Sequence, residues 1–202
     1  MNKVICIDGV VGSGKTTLAE ILEKELDIPL YNELSNGSTE ILLDKFYRDR
    51  KRWAFTMQIH FLNERFRMIK AVHHHGQGLL DRSIFGDRIF ASMLYEDGYM
   101  SKEEFHTYDT LLDNMLEHSQ PPILMIYLKC SVPKAIANIE KRGRSYELIV
   151  PTIYWERLNE KYTQWRKEYT LSPLLEIDVD QEDIFLHQET VLKKIRAKLT
   201  EI

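Results

Sequence analysis

Gly9-Val10-Val11-Gly12-Ser13-Gly14-Lys15-Thr16 decides the reading of this chain. A glycine, four residues and then Gly-Lys-Thr is the spacing of a phosphate-binding loop. Val4-Ile5-Cys6-Ile7 before it has the apolar, β-branched character of a buried strand, and Thr17-Leu18-Ala19-Glu20-Ile21-Leu22 after it opens a helix. In that context Gly9, Gly12 and Gly14 let the backbone curl so that amide hydrogens converge, with Ser13 and Thr17 in the same turn. The helix N-terminus adds partial positive charge. Lys15 is long enough to reach the outer phosphates, and the Thr16 hydroxyl is a ligand type suited to Mg2+. A glycine-rich turn carrying a surface lysine is the plainer alternative, and it leaves the strand–loop–helix context unexplained. The stretch therefore predicts a nucleoside triphosphate site.

Outward from the loop, apolar runs alternate with helical patterns. The runs are Val4–Ile7, Leu30–Tyr31, Leu79–Leu80, Ile123–Leu128 and Leu174–Ile177. Short strands separated by helices make a parallel sheet covered on both faces. The fold expected is α/β: a three-layer P-loop NTPase fold with a five-stranded parallel sheet flanked by helices. With 202 residues, no internal repeat and no low-complexity linker, the chain reads as a single domain.

The formal net charge of −4 offers no basic excess for wrapping a nucleic acid, although a few local cations suffice for a small anion. No apolar stretch is long enough for a membrane span, and Lys3 and Asp8 interrupt the N-terminal apolar run, so no secretory signal is read. Cys6 and Cys130 lie in apolar runs and read as buried, reduced thiols of a cytoplasmic protein. His73-His74-His75 reads as a solvated turn after a helix rather than a metal site, since no carboxylate or cysteine stands at ligand spacing.

Ligands of such sheets collect beyond the carboxyl ends of the strands. The second run ends at Glu33, the third at Asp81-Arg82-Ser83 and the fifth at Asp178-Val179-Asp180. Between the second and third runs a helix is expected from Arg50 to Val72, with Phe55, Ile59, Leu62, Phe66 and Ile69 as its core stripe. Gln58 and Arg65 lie two turns apart on another shared face, which spacing alone assigns to solvent rather than to a cleft. Met100 to His118 reads as a second helix, with Ser101 and Glu104 as a capping box. A last helix is expected near Phe185 to Leu199. Lys141-Arg142-Gly143-Arg144-Ser145-Tyr146-Glu147 follows a helix after the fourth strand. There Arg142 and Arg144 could form an arginine lid that clamps phosphoryl oxygens.

Phosphoryl transfer needs positioning, charge neutralisation and an oriented nucleophile. Glu33 at its place could accept a proton from an acceptor hydroxyl, and it would repel an acceptor that already carries a phosphate. Asp81 could hold magnesium or share the proton-accepting role, and Arg82 could bind either reacting oxygen. A nucleoside monophosphate kinase is the runner-up, but it would want an arginine where Tyr31-Asn32-Glu33 has none. A guanine-nucleotide switch would need an Asn-Lys-x-Asp motif, which is absent. Hydrolytic ATPases often follow the acid of this strand with a glutamate, where Arg82-Ser83 stands here. A small-molecule kinase fits better.

With these residues placed, the chain resembles the deoxyribonucleoside kinase family, including the deoxycytidine, deoxyguanosine and bacterial deoxyadenosine kinases. Three segments carry the resemblance: Phe46-Tyr47 through Arg52-Trp53-Ala54-Phe55-Thr56-Met57-Gln58 to Glu64-Arg65, Asp81-Arg82-Ser83-Ile84-Phe85-Gly86-Asp87, and Arg142 to Glu147. The resemblance implies ATP as donor with Mg2+, a deoxynucleoside as acceptor, deoxyadenosine first, and a homodimer. It implies Glu33 as base near the sugar 5′-hydroxyl, Asp81 for magnesium or as the proton acceptor, and Arg82 on the 5′ oxygen. Tyr47 and Glu147 would hold the 3′-hydroxyl, Gln58 the base, Arg142 and Arg144 the phosphates, and the turn from Asp180 to Asp183 the donor adenine. Arg65 and Asp87 would pair, with Asp87 accepting from an exocyclic amine that thymine lacks. Asn138 stands where some relatives carry another lid arginine, so clamping would rest on Arg142 and Arg144.

Overall fold

Side chains along β1 (Lys3–Gly9) alternate between two cores. Ile5 and Ile7 enter one hydrophobic cluster, whereas Val4 and Cys6 enter the other. A strand that is apolar on both faces must lie inside a sheet covered on both sides. In the computed structural model, which describes residues 3–32 and 37–202, β1 is the central strand. Beside it lie β2 (Leu30–Asn32), β3 (Gln77–Asp81), β4 (Leu124–Lys129) and β5 (Leu174–Asp178), in the order β2-β3-β1-β4-β5 with every pairing parallel. The architecture is the three-layer α/β fold expected.

On one face lie α1 (Lys15–Leu26), α6 (Val132–Arg142), α8 (Thr152–Glu168) and α9 (Gln188–Thr200), which bury Leu18, Ile139, Leu158 and Ile195. On the other lie α2 (Gly37–Arg48), α3 (Arg50–His75) and α5 (Lys102–Leu116), which bury Phe46, Leu62 and Tyr108. Helix α4 (Arg88–Glu96) feeds both clusters, through Ile89 and Met93 to the first and Ala91 and Leu94 to the second. A four-residue α7 (Ser145–Leu148) follows α6. The chain leaves β1 through α1 for β2 on one side of the sheet, whereas it leaves the adjacent β3 for β4 on the other, so the switch point lies between β1 and β3.

The long helix extends one turn further than the spacing predicts, to His75, and stops at Gly76, whose φ of 78° closes the helix through a bond to the Val72 carbonyl. The histidine run is its last turn. Its buried stripe is also turned from the one expected. Ala54, Met57, Leu62, Met68, Ile69 and Val72 are buried, whereas Phe55, Ile59 and Phe66 are only partly so. The small Ala54 and unbranched Met57 let the helix approach closely, leaving the bulkier rings at the edge. Gln58 and Arg65 are buried rather than solvated, each 5% exposed.

The separate helix α2 had no clear sequence signature. Asp49 divides it from α3 by accepting a hydrogen bond from the Arg52 amide (3.1 Å) and capping the second helix. At α5 the capping box is present. Ser101 Oγ accepts from the Glu104 amide (3.1 Å), and Glu104 Oε2 accepts from the Ser101 amide (2.8 Å). The last helix begins at Gln188, not Phe185. Asp183 Oδ1 accepts from the amides of Phe185 (3.0 Å) and Leu186 (3.3 Å), holding them in a turn that leaves both side chains exposed.

Candidate active site

Two glycines are required where the phosphate loop leaves β1. A Cβ on Gly9 would stand 2.6 Å from the Leu128 carbonyl oxygen, and one on Gly12 would strike the Ala135 carbonyl. Both also have positive φ, 146° and 81°. The loop is thus wedged between β4 and α6. Asn138 on α6 donates its side-chain amide to the Gly12 carbonyl (2.7 Å), so the residue at the missing lid-arginine position fastens the loop instead. Lys15, 6% exposed, donates to the carbonyl oxygens of Gly9 (2.8 Å) and Val10 (2.6 Å), bent over the curve of the loop. Thr16 Oγ1 donates to Asp81 Oδ2 at 2.6 Å, joining the start of α1 to the end of β3.

A cavity of about 740 Å³ opens over this loop. Gly12, Ser13, Gly14, Lys15, Thr16 and Thr17 line one part of it, with Asp81 and Arg82 beside them. Arg82 has a φ of 82°, and its Nη1 donates to the Tyr162 hydroxyl (2.8 Å). Tyr47, Tyr154 and Phe90 contribute an aromatic wall. The Tyr47 ring stacks on Tyr146 with centroids 5.7 Å apart. Burial first, then the neighbouring Tyr154 and Glu147, pushes the Tyr47 phenol well above its ordinary range, so it stays a hydrogen-bond donor. Burial likewise raises Tyr154 to about 12.

The lid follows α6, which ends at Gly143 with φ 73°. Glu147, 5% exposed, accepts from Arg142 Nε (3.2 Å) and Nη2 (2.6 Å), and Arg144 Nη1 lies 3.6 Å from its other oxygen. Both arginines and Glu147 line the cavity. Elsewhere on the wall are Gln58, Arg65 and Phe61, with the Arg65 guanidinium 5.1 Å from the Phe61 ring centroid. Arg65 forms a buried ion pair with Asp87, which does not itself line the cavity and sits behind the arginine.

Two other expected positions, Gly9 and Asp180, differ in placement. Gly9 shapes the loop from behind without lining the cavity. Asp180 is also off the wall. It accepts from the Ser131 amide (2.7 Å) and hydroxyl (2.5 Å), steadying the N-terminus of α6. The neighbouring turn does reach the cavity, through Asp183, Ile184, Phe185 and Leu186. Lys134, hydrogen-bonded to Asp183 at 2.9 Å, holds that carboxyl below its usual range. Glu33 lies outside the described residues, directly after β2, whose Asn32 is in register with Asp81.

A family model for deoxynucleoside kinases matches residues 5–202. The chain belongs to the deoxynucleoside kinase family. It is 36% identical to a deoxyguanosine kinase of Lactobacillus johnsonii, over 98% of this chain and 93% of that one. It is 34% identical to a deoxyadenosine/deoxycytidine kinase of Bacillus subtilis, over 100% and 93% of the two chains. Its fold is similar to that of the deoxyadenosine kinase of M. mycoides solved with bound dCTP, with a TM-score of 0.84, 29% identity and coverage of 96% and 99%. Family membership makes this an ATP-dependent phosphotransferase acting on a deoxynucleoside, and it removes the monophosphate-kinase and switch readings.

The residues present would fit a magnesium ion. A hydroxyl and a carboxylate, both hard oxygen donors, meet at 2.6 Å beside the phosphate loop. Two protein oxygens suit an ion that takes its remaining ligands from phosphates and water. Sequence reasoning missed Asp8, Tyr154 and Tyr162. The helix carrying both tyrosines, α8, lies in a stretch that no motif marks. Asp8 is merely the last polar residue of a strand until the turn after β3 folds against it.

Proposed function

We propose that this kinase transfers the γ-phosphoryl of ATP to the 5′-hydroxyl of a deoxynucleoside, with deoxyadenosine as the first substrate and deoxyguanosine or deoxycytidine as further ones. The observation that carries this reading is the single cavity shared by the phosphate loop and the Gln58–Arg65 wall, with Arg82 on its lining. A nucleoside is the ligand that needs both surfaces. The homologues named for deoxyadenosine, deoxyguanosine and deoxycytidine support the range of bases.

In this reading Lys15 and the loop amides hold the ATP phosphates, and Arg142 and Arg144 close over them. Tyr47 and Glu147 take the 3′-hydroxyl, and Tyr47 crowds out a 2′-hydroxyl. The 5′ oxygen attacks the γ-phosphorus as its bond to the bridging oxygen breaks, and ADP leaves. Arg82 stabilises charge on the oxygens. The hydroxyl proton goes to Glu33 or Asp81. The hydrogen bond that engages Asp81 with Thr16 favours Glu33 as acceptor. Magnesium, held by Thr16 and Asp81 with the phosphates, would neutralise charge on the β- and γ-phosphates.

Gln58 pairs with the base through its amide. Asp87 accepts from the exocyclic amine of adenine or cytosine, where thymine would present an unpaired carbonyl. Because Asp87 stands behind Arg65, this contact requires Arg65 to shift as the base enters. We further propose that the chain acts as one catalytic domain in the reducing cytoplasm, in keeping with its two free, buried cysteines. A homodimer would use the α5 face, where Phe105, Leu111, Met115 and Leu116 are only partly buried, and sedimentation equilibrium at twice the chain mass would support it. No helix among the described residues is long and apolar enough to cross a membrane.

A panel of acceptors at fixed MgATP tests the reading. Labelled phosphate should move to deoxyadenosine and not to thymidine or deoxyadenosine monophosphate. Transfer to the monophosphate, or to none of the three, would overturn it. Glu33→Gln should abolish turnover, and near-normal turnover would remove Glu33 as the base.

A further inference from the structure

Arg82 occupies a backbone conformation that side chains rarely adopt, with a φ of 82°. Something must hold it there, and two buried groups outside the cavity lining do so. The first is Asp8, 1% exposed at the end of β1. Its Oδ1 accepts from the amide of Gly9 (2.9 Å), the first residue of the phosphate loop. Its Oδ2 accepts from the amide of Ser83 (3.2 Å), the residue after Arg82. The Arg82 amide itself donates to the Ile7 carbonyl (3.0 Å). One carboxylate therefore staples the loop to the turn that carries the arginine. Gly86 leaves room for it, since a Cβ there would stand 3.0 Å from Asp8 Oδ2.

The second group is Tyr162 on α8, also 1% exposed. Its hydroxyl accepts from Arg82 Nη1 at 2.8 Å. The Phe90 ring lies 5.1 Å from the same guanidinium and packs edge-on to Tyr162, with centroids 6.1 Å apart. Burial, opposed by Arg82 and reinforced by the charge and hydrogen bonding of Asp8, keeps the Tyr162 phenol protonated. The phenol thus engages the guanidinium of the same arginine whose backbone turn the Asp8 carboxylate fixes.

We propose that Asp8 and Tyr162 are positioning residues for phosphoryl transfer: Asp8 holds the strained backbone of Arg82 against the phosphate loop, and Tyr162 aims its guanidinium into the cavity. This rests on the reading of Arg82 as the arginine of the reacting oxygens. Neither residue touches substrate. They act by keeping one donor where charge develops, and misplacement by about an ångström is enough to cost up to about a hundredfold in rate.

A double-mutant cycle tests it on the full-length kinase with MgATP and deoxyadenosine, using Tyr162→Phe, Arg82→Gln and both together. Tyr162→Phe removes one oxygen and keeps the packing. Its kcat should fall about tenfold, with both KM values within about twofold, the mark of an interaction made in the transition state. In the Arg82→Gln background the same change should alter kcat by less than about twofold, because its target is gone. An unchanged kcat for Tyr162→Phe, or an equal fall in both backgrounds, would overturn the proposal by showing no role or a merely structural one. Wild-type turnover by Arg82→Gln would instead defeat the underlying reading of Arg82, and the proposal with it. Asp8→Asn, which puts an amide N–H against a backbone N–H, should show the same kcat-selective loss. If it does not fold, the Tyr162 cycle decides alone.

Discussion

The phosphate loop and the Gln58–Arg65 wall of the same cavity are built in different ways. The loop is eight consecutive residues that offer a ligand mainly backbone amides and one lysine. The wall is assembled from side chains of α3 and the turn after β3, with Arg65 and Asp87 separated by 22 positions in sequence and paired only in the fold (87 − 65). Backbone recognition needs glycines at fixed places and tolerates little else. Side-chain recognition can be retuned residue by residue, which suits a fold whose members differ in the base they accept.

Replacing Lys15 by Ala should give the largest effect. The loop would keep its shape, held by Asn138 and the packing of Gly9 and Gly12, but lose the charge on the outer phosphates. We expect kcat/KM for ATP to fall by about a thousandfold or more, with a stability loss of about 1–3 kcal/mol as the Gly9 and Val10 carbonyls lose their buried donor. A residual rate within tenfold of wild type would show that the loop amides and lid suffice.

The wall should respond differently. Arg65→Met alone strands the Asp87 carboxylate in the interior, and such a loss costs about 3–5 kcal/mol of stability. Asp87→Ala added to it should recover most of that stability and admit thymidine, while ATP handling stays intact. Calorimetric melting of the single and double variants, with the acceptor panel, checks both halves. Additive destabilisation or no thymidine gain would break the contrast between a fixed phosphate end and a tunable base end.

Ser101→Ala lies outside both regions and should cost only about 1 kcal/mol in stability, through loss of the cap on α5. Its turnover should equal wild type, and a kinetic effect would mean that α5 is coupled to the site.

The same contrast explains what could be read in the sequence. Strand-period apolar runs and the loop spacing are local, so the sheet, its five strands and the strand–loop–helix turn at its centre were legible in advance. The capping box was legible for the same reason. The face of α3 was not. Gln58 and Arg65 look like a solvated stripe because polar character normally signals exposure, and only the cavity beneath them explains their burial. The role proposed for them rests on resemblance, not on spacing. The start of α9 was misplaced because the Asp183 turn competes with helix at Phe185 and Leu186, whose apolar character suggested a helical stripe. Asp8 and Tyr162 were invisible, since their partners come from distant turns that only the folded chain brings together.

A crystal structure with deoxyadenosine bound tests the central claim most directly. The base should lie against Gln58 and Arg65, the 3′-hydroxyl at Tyr47 and Glu147, and the 5′ oxygen within hydrogen-bond reach of Arg82 and near Glu33. Adenine seated instead on Phe185 and Leu186, with its sugar remote from Arg82, would contradict the account.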